Sequence, residues 1–123
     1  MKTFLFLLAF LALVGCSSTG CSSPARFDKQ KWATQADLAS YPFRECMVAD
    51  LLARYPLAGS SYANVVALLG EPQMGGFSSG EIGYGITESY GADIDPVYTK
   101  TLLFKLNSQG KVKSYSVSEW RAK

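Results

Sequence analysis

Eleven consecutive apolar residues, Phe4 to Val14, follow a lone positive charge at Lys2 and run into Gly15 and Cys16. At 1.5 Å per residue this run makes about 16 Å of helix, too short for a hydrocarbon layer of about 30 Å. A positive start, a short apolar core and small residues at Gly15, Ser17 and Ser18 form the layout of a secretory signal peptide. Residues 1–15 are therefore predicted to be an address and not part of the fold. Removing them from the 123 leaves 108, Cys16 to Lys123, the length of one small domain.

Leu13-Val14-Gly15-Cys16 resembles the lipobox of bacterial lipoproteins, which implies that Cys16 becomes the first mature residue and carries lipid chains, palmitate among them. Ser17, where a retention signal would place Asp, resembles members destined for the outer membrane. The membrane is thus the first expected partner, reached through the N-terminal lipid, with the domain facing the periplasm. The formal charge of +2 includes Lys2, so the mature chain is close to neutral and gives no case for nucleic-acid binding. The chain has no His, which excludes Ser-His or Cys-His catalysis and any imidazole metal site within it. Cys21 and Cys46 remain. In an oxidising compartment they can bridge each other, pair between molecules, or stay as thiols.

Residues 16–26 are dominated by Ser, Gly and Pro and read as a flexible tether. The domain is expected over 27–123, with Phe27 and Trp32 covering one edge of its core. A first helix is predicted from Pro42 to Arg54, because Phe43, Met47, Val48, Leu51, Leu52 and Tyr55 form one apolar stripe. Arg44, Glu45, Asp50 and Arg54 lie off it. A second helix is predicted over 62–69, with Ser61 as N-cap, Gly70 as its stop and Pro72 preventing continuation. Residues 74–80 are too rich in glycine to promise regular structure. Strands follow near 81–87, 97–106 and 111–120, the last two joined by a hairpin at Asn107-Ser108-Gln109-Gly110. Ile82, Tyr84 and Ile86 share one strand face, as do Leu102, Phe104 and Leu106. The imperfect alternation of the last strand predicts a bulge or an edge position. The fold class is α+β, two helices packed on a three-stranded antiparallel sheet in the order ααβββ.

Catalytic groups are not evident, so the chain is read as a non-enzyme with no cofactor and no small-molecule substrate. Cys46 lies near Arg44, yet without a base it makes a poor nucleophile. Asp93 and Asp95 supply two oxygen donors where Ca²⁺ needs six to eight, so they read as a solvated loop and no metal is expected. Lys105, Lys111, Lys113, Arg121 and Lys123 surround the final hairpin and tail; they suit anionic lipid, but solvating a strand edge is the plainer reading. Phe77, Tyr84, Tyr90, Tyr98 and Trp120 are candidate partner-binding residues, since aromatics anchor interfaces. They also populate half-buried strands.

Several segments together resemble the BamE-like (SmpA/OmlA) small outer-membrane lipoproteins: Arg44, Met47-Val48, Asp50-Leu51-Leu52, Tyr55-Pro56-Leu57, Gly59, Val65 and Leu68-Leu69-Gly70-Glu71-Pro72. The Tyr84 strand, Leu102 to Leu106 and Gly110-Lys111-Val112 extend the match over most of 41–117. The resemblance implies a compact ααβββ domain and a protein-binding role in outer-membrane assembly or envelope integrity, with another envelope protein as partner. The Gln-Gly-Asn segment and Trp-x-Tyr strand of BamE itself are missing, so the chain resembles the wider group more closely. Two-helix, three-strand modules are also similar to β-lactamase inhibitors. That leaves a second expectation, an inhibitor or immunity-type lipoprotein bound to a hydrolase.

Overall fold

The computed structural model describes residues 21, 23–36, 40–92 and 94–123. The predicted signal peptide, Cys16, most of the tether and Asp93 lie outside these. Three helices precede a four-stranded antiparallel sheet: α1 (Lys29–Ala33), α2 (Arg44–Arg54), α3 (Tyr62–Leu69), β1 (Met74–Gly76), a 3₁₀ turn (Phe77–Ser79), β2 (Glu81–Tyr90), β3 (Pro96–Leu106) and β4 (Val112–Arg121). Strand order follows chain order, β1-β2-β3-β4. The class is α+β as expected, but with one more helix and one more strand. None of the helices among the described residues is long and apolar enough to cross a membrane.

The unforeseen strand lies in the glycine stretch expected as loop. Gly75 adopts a φ of 69°, and a Cβ there would collide with the Glu81 carbonyl. Only glycine lets this backbone close on β2, where Met74 pairs with Gly83 and Gly76 with Glu81. The unforeseen helix α1 is a single capped turn: Asp28 Oδ1 accepts from the amides of Gln30 and Lys31 at 2.9 and 3.0 Å. It buries Trp32 completely. α2 starts at Arg44, two residues later than Pro42 suggested. Pro42 and Phe43 form a turn, and Phe43 offers no side-chain cap. α3 has the predicted limits, and Ser61 Oγ accepts from the Asn64 amide at 3.1 Å.

Ile82, Tyr84 and Ile86 of β2 and Leu102, Phe104 and Leu106 of β3 bury one face of the sheet against Trp32, Met47, Leu51, Leu57, Val65 and Leu69. The Tyr84 hydroxyl donates to the Gly70 carbonyl at 2.8 Å, so the end of α3 is fastened to the middle of the sheet. α2 lies over β2. The helical layer stops short of β4, whose residues from 113 onward are all exposed. Its register with β3 slips between Lys105 and Leu106, placing the expected bulge at Lys113. Gly110 turns the hairpin with a φ of 74°.

Cys21 and Cys46 are joined by a disulfide with their Cα atoms 5.2 Å apart. The Ala25 amide donates to the Cys46 carbonyl at 2.9 Å, and the Phe27 amide to Asp50 Oδ2 at 2.7 Å. The chain from Cys21 onward is therefore strapped along α2. The bond closes a sequence separation of 25 residues. By loop entropy it adds about 3 kcal/mol of stability. Urea unfolding with and without reductant, or of Cys46→Ser, should show a loss of that size.

Candidate functional site

The first turn of α2 carries the one buried charge among the described residues. Arg44 is 2% exposed. Its Nε donates to the Trp32 carbonyl at 2.8 Å, and its Nη1 donates to Gln73 Oε1 at 2.7 Å and to the Gly85 carbonyl at 2.8 Å. The guanidinium sits 3.4 Å from the Tyr41 ring centroid and 4.7 Å from that of Trp32. Burial lowers its pKa to about 10, so it remains a cation at neutral pH.

This arrangement closes an edge. β1 pairs with β2 only as far as Gly83, so the next outward-facing backbone groups, those of Gly85, would otherwise be left open. Gln73 Oε1 accepts the Gly85 amide at 3.1 Å, while Arg44 binds the Gly85 carbonyl. Two side chains thus take the place of missing strand, satisfying groups that are costly to leave unpaired.

Beside Arg44 the α2 turn and the sheet end enclose a cleft of about 540 Å³, lined by Tyr41, Glu45, Thr87, Tyr98, Glu119 and Arg121 among others. Glu45 accepts from Thr87 Oγ1 and from Lys100 Nζ, each at 2.9 Å. Arg121 stacks on Tyr98 at 4.5 Å. Glu45 is satisfied by Thr87 and Lys100, and Arg121 lies on an aromatic ring, an arrangement that suits a polar protein surface better than a reacting group. No cluster of three metal-ligating side chains occurs among the described residues.

The five aromatic candidates do not form one surface. Tyr84 is 0% exposed and belongs to the core, so it is withdrawn as a partner-binding residue. The inward-facing alternation of Ile82, Tyr84 and Ile86 governs its position. Phe77 is exposed, but it rests on Tyr62 at 5.6 Å and beside Gly110, at the β3–β4 hairpin. Tyr90, Tyr98 and Trp120 lie at the other end of the sheet, roughly 30 Å away at 3.3 Å per residue of β3. Tyr98 faces the helices with Arg121, whereas Trp120 pairs with Thr99 on the opposite face. The Tyr90 hydroxyl donates to Glu88 at 2.8 Å, and that carboxylate raises its pKa. Of the basic candidates, Lys105 opposes Ser114 on the outer face, and Lys111, Lys113 and Lys123 are exposed. Sequence reasoning missed Ile94, which is 94% exposed in the β2–β3 connection, and Arg44, which its charge and position off the apolar stripe assigned to solvent.

Tyr84 predicts an alkaline signature. Burial raises its pKa well above the usual 10, with Tyr62 and Glu71 adding to the effect. The folded state keeps the phenolic proton while the unfolded chain loses it, so the stabilisation is complete below pH 10 and fades as pH rises further. Arg44 acts with opposite sign, its folded pKa of about 10 lying below the ordinary 12.5, so its contribution grows over that interval. The clean observable is the difference between the native chain and Tyr84→Phe. That gap should be constant below pH 9 and shrink by about 1.4 kcal/mol at pH 11.

Comparison with protein-family models, curated proteins and solved structures finds no match to this chain.

Proposed function

We propose that this chain is a lipid-anchored protein-binding module of the bacterial envelope, held on the periplasmic face of the outer membrane. Its role would lie in outer-membrane assembly or envelope integrity. The observation that carries the reading is β4, a ten-residue outer strand left uncovered by the helices, with Tyr115, Val117 and Trp120 exposed along it. Exposed aromatic and aliphatic groups beside a cleft of mixed charge suit a protein partner. The Cys21–Cys46 bond supports the same setting, since such bonds persist in exported proteins.

The tether then works at short range. From Cys16 to Cys21 there are five residue steps, a reach of at most about 18 Å. With Cys21 bonded to the first turn of α2, a lipid on Cys16 would keep the Tyr98 and Trp120 end of the sheet close to the membrane. Purification of the full chain from solubilised envelopes tests the reading. A partner should co-purify in proportion, and Trp120→Ala with Arg121→Ala should release it; no partner, or one indifferent to both substitutions, counts against it.

Ile94 favours a second reading. An apolar side chain projecting from the turn between two long strands is shaped to enter a cleft of another protein, as an inhibitor would. Binding to one soluble enzyme, lost on Ile94→Asp and unchanged by Trp120→Ala, would select it.

A further inference from the structure

The backbone of β4 has a defined polarity at its outer edge. The Ala122 amide donates to the Val97 carbonyl at 2.8 Å, so it points into the sheet. In an antiparallel ladder this direction alternates residue by residue. Trp120, Ser118, Ser116 and Ser114 therefore direct their backbone groups at β3, and Arg121, Glu119, Val117 and Tyr115 direct theirs outward. The other end agrees. The Val112 amide donates to the Ser60 carbonyl, and the Gly59 amide to the Val112 carbonyl, both at 2.8 Å. Val112 thus faces outward before the bulge at Lys113 resets the alternation.

Elsewhere particular edge groups already have partners. Arg44 and Gln73 occupy Gly85, and residues 59–62 cover β4 as far as Val112 through the Ser61–Lys111 bridge. Four outward-facing residues in a row remain, on a regular stretch with no Pro and no Gly. Such an edge invites an added strand.

The stretch is complementary to itself. A two-fold axis through Val117 sets Val117 against Val117, Tyr115 against Glu119, Ser116 against Ser118 and Ser114 against Trp120. No like charges oppose one another within these seven residues; the next pair, Lys113 with Arg121 at each end, is like-charged and limits the pairing to the stretch before the bulge at Lys113. Val117 and Tyr115 lie on the same sheet face as Leu102 and Phe104, so the pairing continues the apolar face of the core across the junction. Val117 is 37% exposed and Trp120 52%, and both lose solvent in this arrangement.

We infer that the outer edge of β4 pairs antiparallel with β4 of a second copy of this chain, centred on Val117, giving a continuous eight-stranded sheet. The inference deepens the protein-binding reading and rests on it for the choice of surface. The two fail separately, because self-pairing is read between two tagged copies and needs no other component. The interface is small, so pairing in dilute solution is weak, and confinement of two copies to one membrane favours it.

Cysteine pairing of full-length chains in intact cells tests it. Ser116→Cys and Ser118→Cys chains, co-expressed with different tags, should form a covalent mixed dimer, because directly opposed strand residues bring Cα atoms within disulfide range. Ser116→Cys alone should give at least about tenfold less dimer, since residue 116 opposes 118 and not itself. Adding Val117→Pro to both chains should abolish the mixed dimer. Proline there removes only an outward N–H, so the β3–β4 ladder survives and protease resistance is retained. No mixed dimer from folded chains, equal yield from Ser116→Cys alone, or undiminished yield in folded Val117→Pro chains would each overturn the inference.

Discussion

Arg44→Met is expected to lower the unfolding free energy by about 3 kcal/mol, a loss comparable to that of breaking the disulfide. Three acceptors depend on this guanidinium: the carbonyls of Trp32 and Gly85 and Oε1 of Gln73. A buried acceptor left without a donor costs about 1–3 kcal/mol, and relief from burying a cation offsets part of the sum. Trp32 and Tyr41 also lose the group stacked between them. Arg44→Lys keeps the charge but not the fork, so it should recover no more than about half of the loss. Urea midpoints of the three proteins measure this, and a loss below about 1 kcal/mol for Arg44→Met would show that water replaces the guanidinium at the Gly85 edge.

Cys16→Ser carries the second large effect, on location and not on stability. Each buried methylene of an attached chain adds about 0.8 kcal/mol of membrane affinity, so several acyl chains make attachment nearly permanent where one gives only marginal binding. The native chain should fractionate almost wholly with membranes. The Cys16→Ser chain should lose that lipid while its domain, strapped to α2 through Cys21, keeps the same unfolding midpoint. Mass spectrometry of the N-terminal peptide reads the lipid directly. Equal fractionation of both chains, with no added mass on Cys16, would show that no lipid anchors the protein.

Local chemistry carried the parts of this fold that were legible in the sequence. Ser61, Gly70 and Pro72 bound α3 from both ends, and the alternation from Leu102 to Leu106 places β3 with its buried face. β1 escaped because nothing in Met74-Gly75-Gly76 favours a strand; it exists because Gly75 can approach Glu81 closely. Arg44 escaped for a related reason. Its burial depends on Gln73 and Gly85, 29 and 41 residues away, and a helical stripe reports only which residues share a face. Tyr84 shows the reverse error. The same alternation that placed it inside argued against its use as a docking residue, and the alternation was the better guide. For the candidate site, Tyr98 and Trp120 were identifiable as aromatics within strand segments. Their placement on opposite faces follows from the β3–β4 register, which sequence alone does not supply.

In the proposed role a membrane-held domain meets another protein with the Tyr98 and Trp120 end of its sheet. Photoreactive residues placed singly at Tyr98, Trp120 and Phe77 of the full-length chain, activated in intact cells, test it most directly. A discrete adduct from Tyr98 and Trp120, absent from Phe77 at the opposite end and lost when Cys16→Ser is added, is the predicted result. Adducts from Phe77 alone, or adducts that persist in chains released from the membrane, would contradict it.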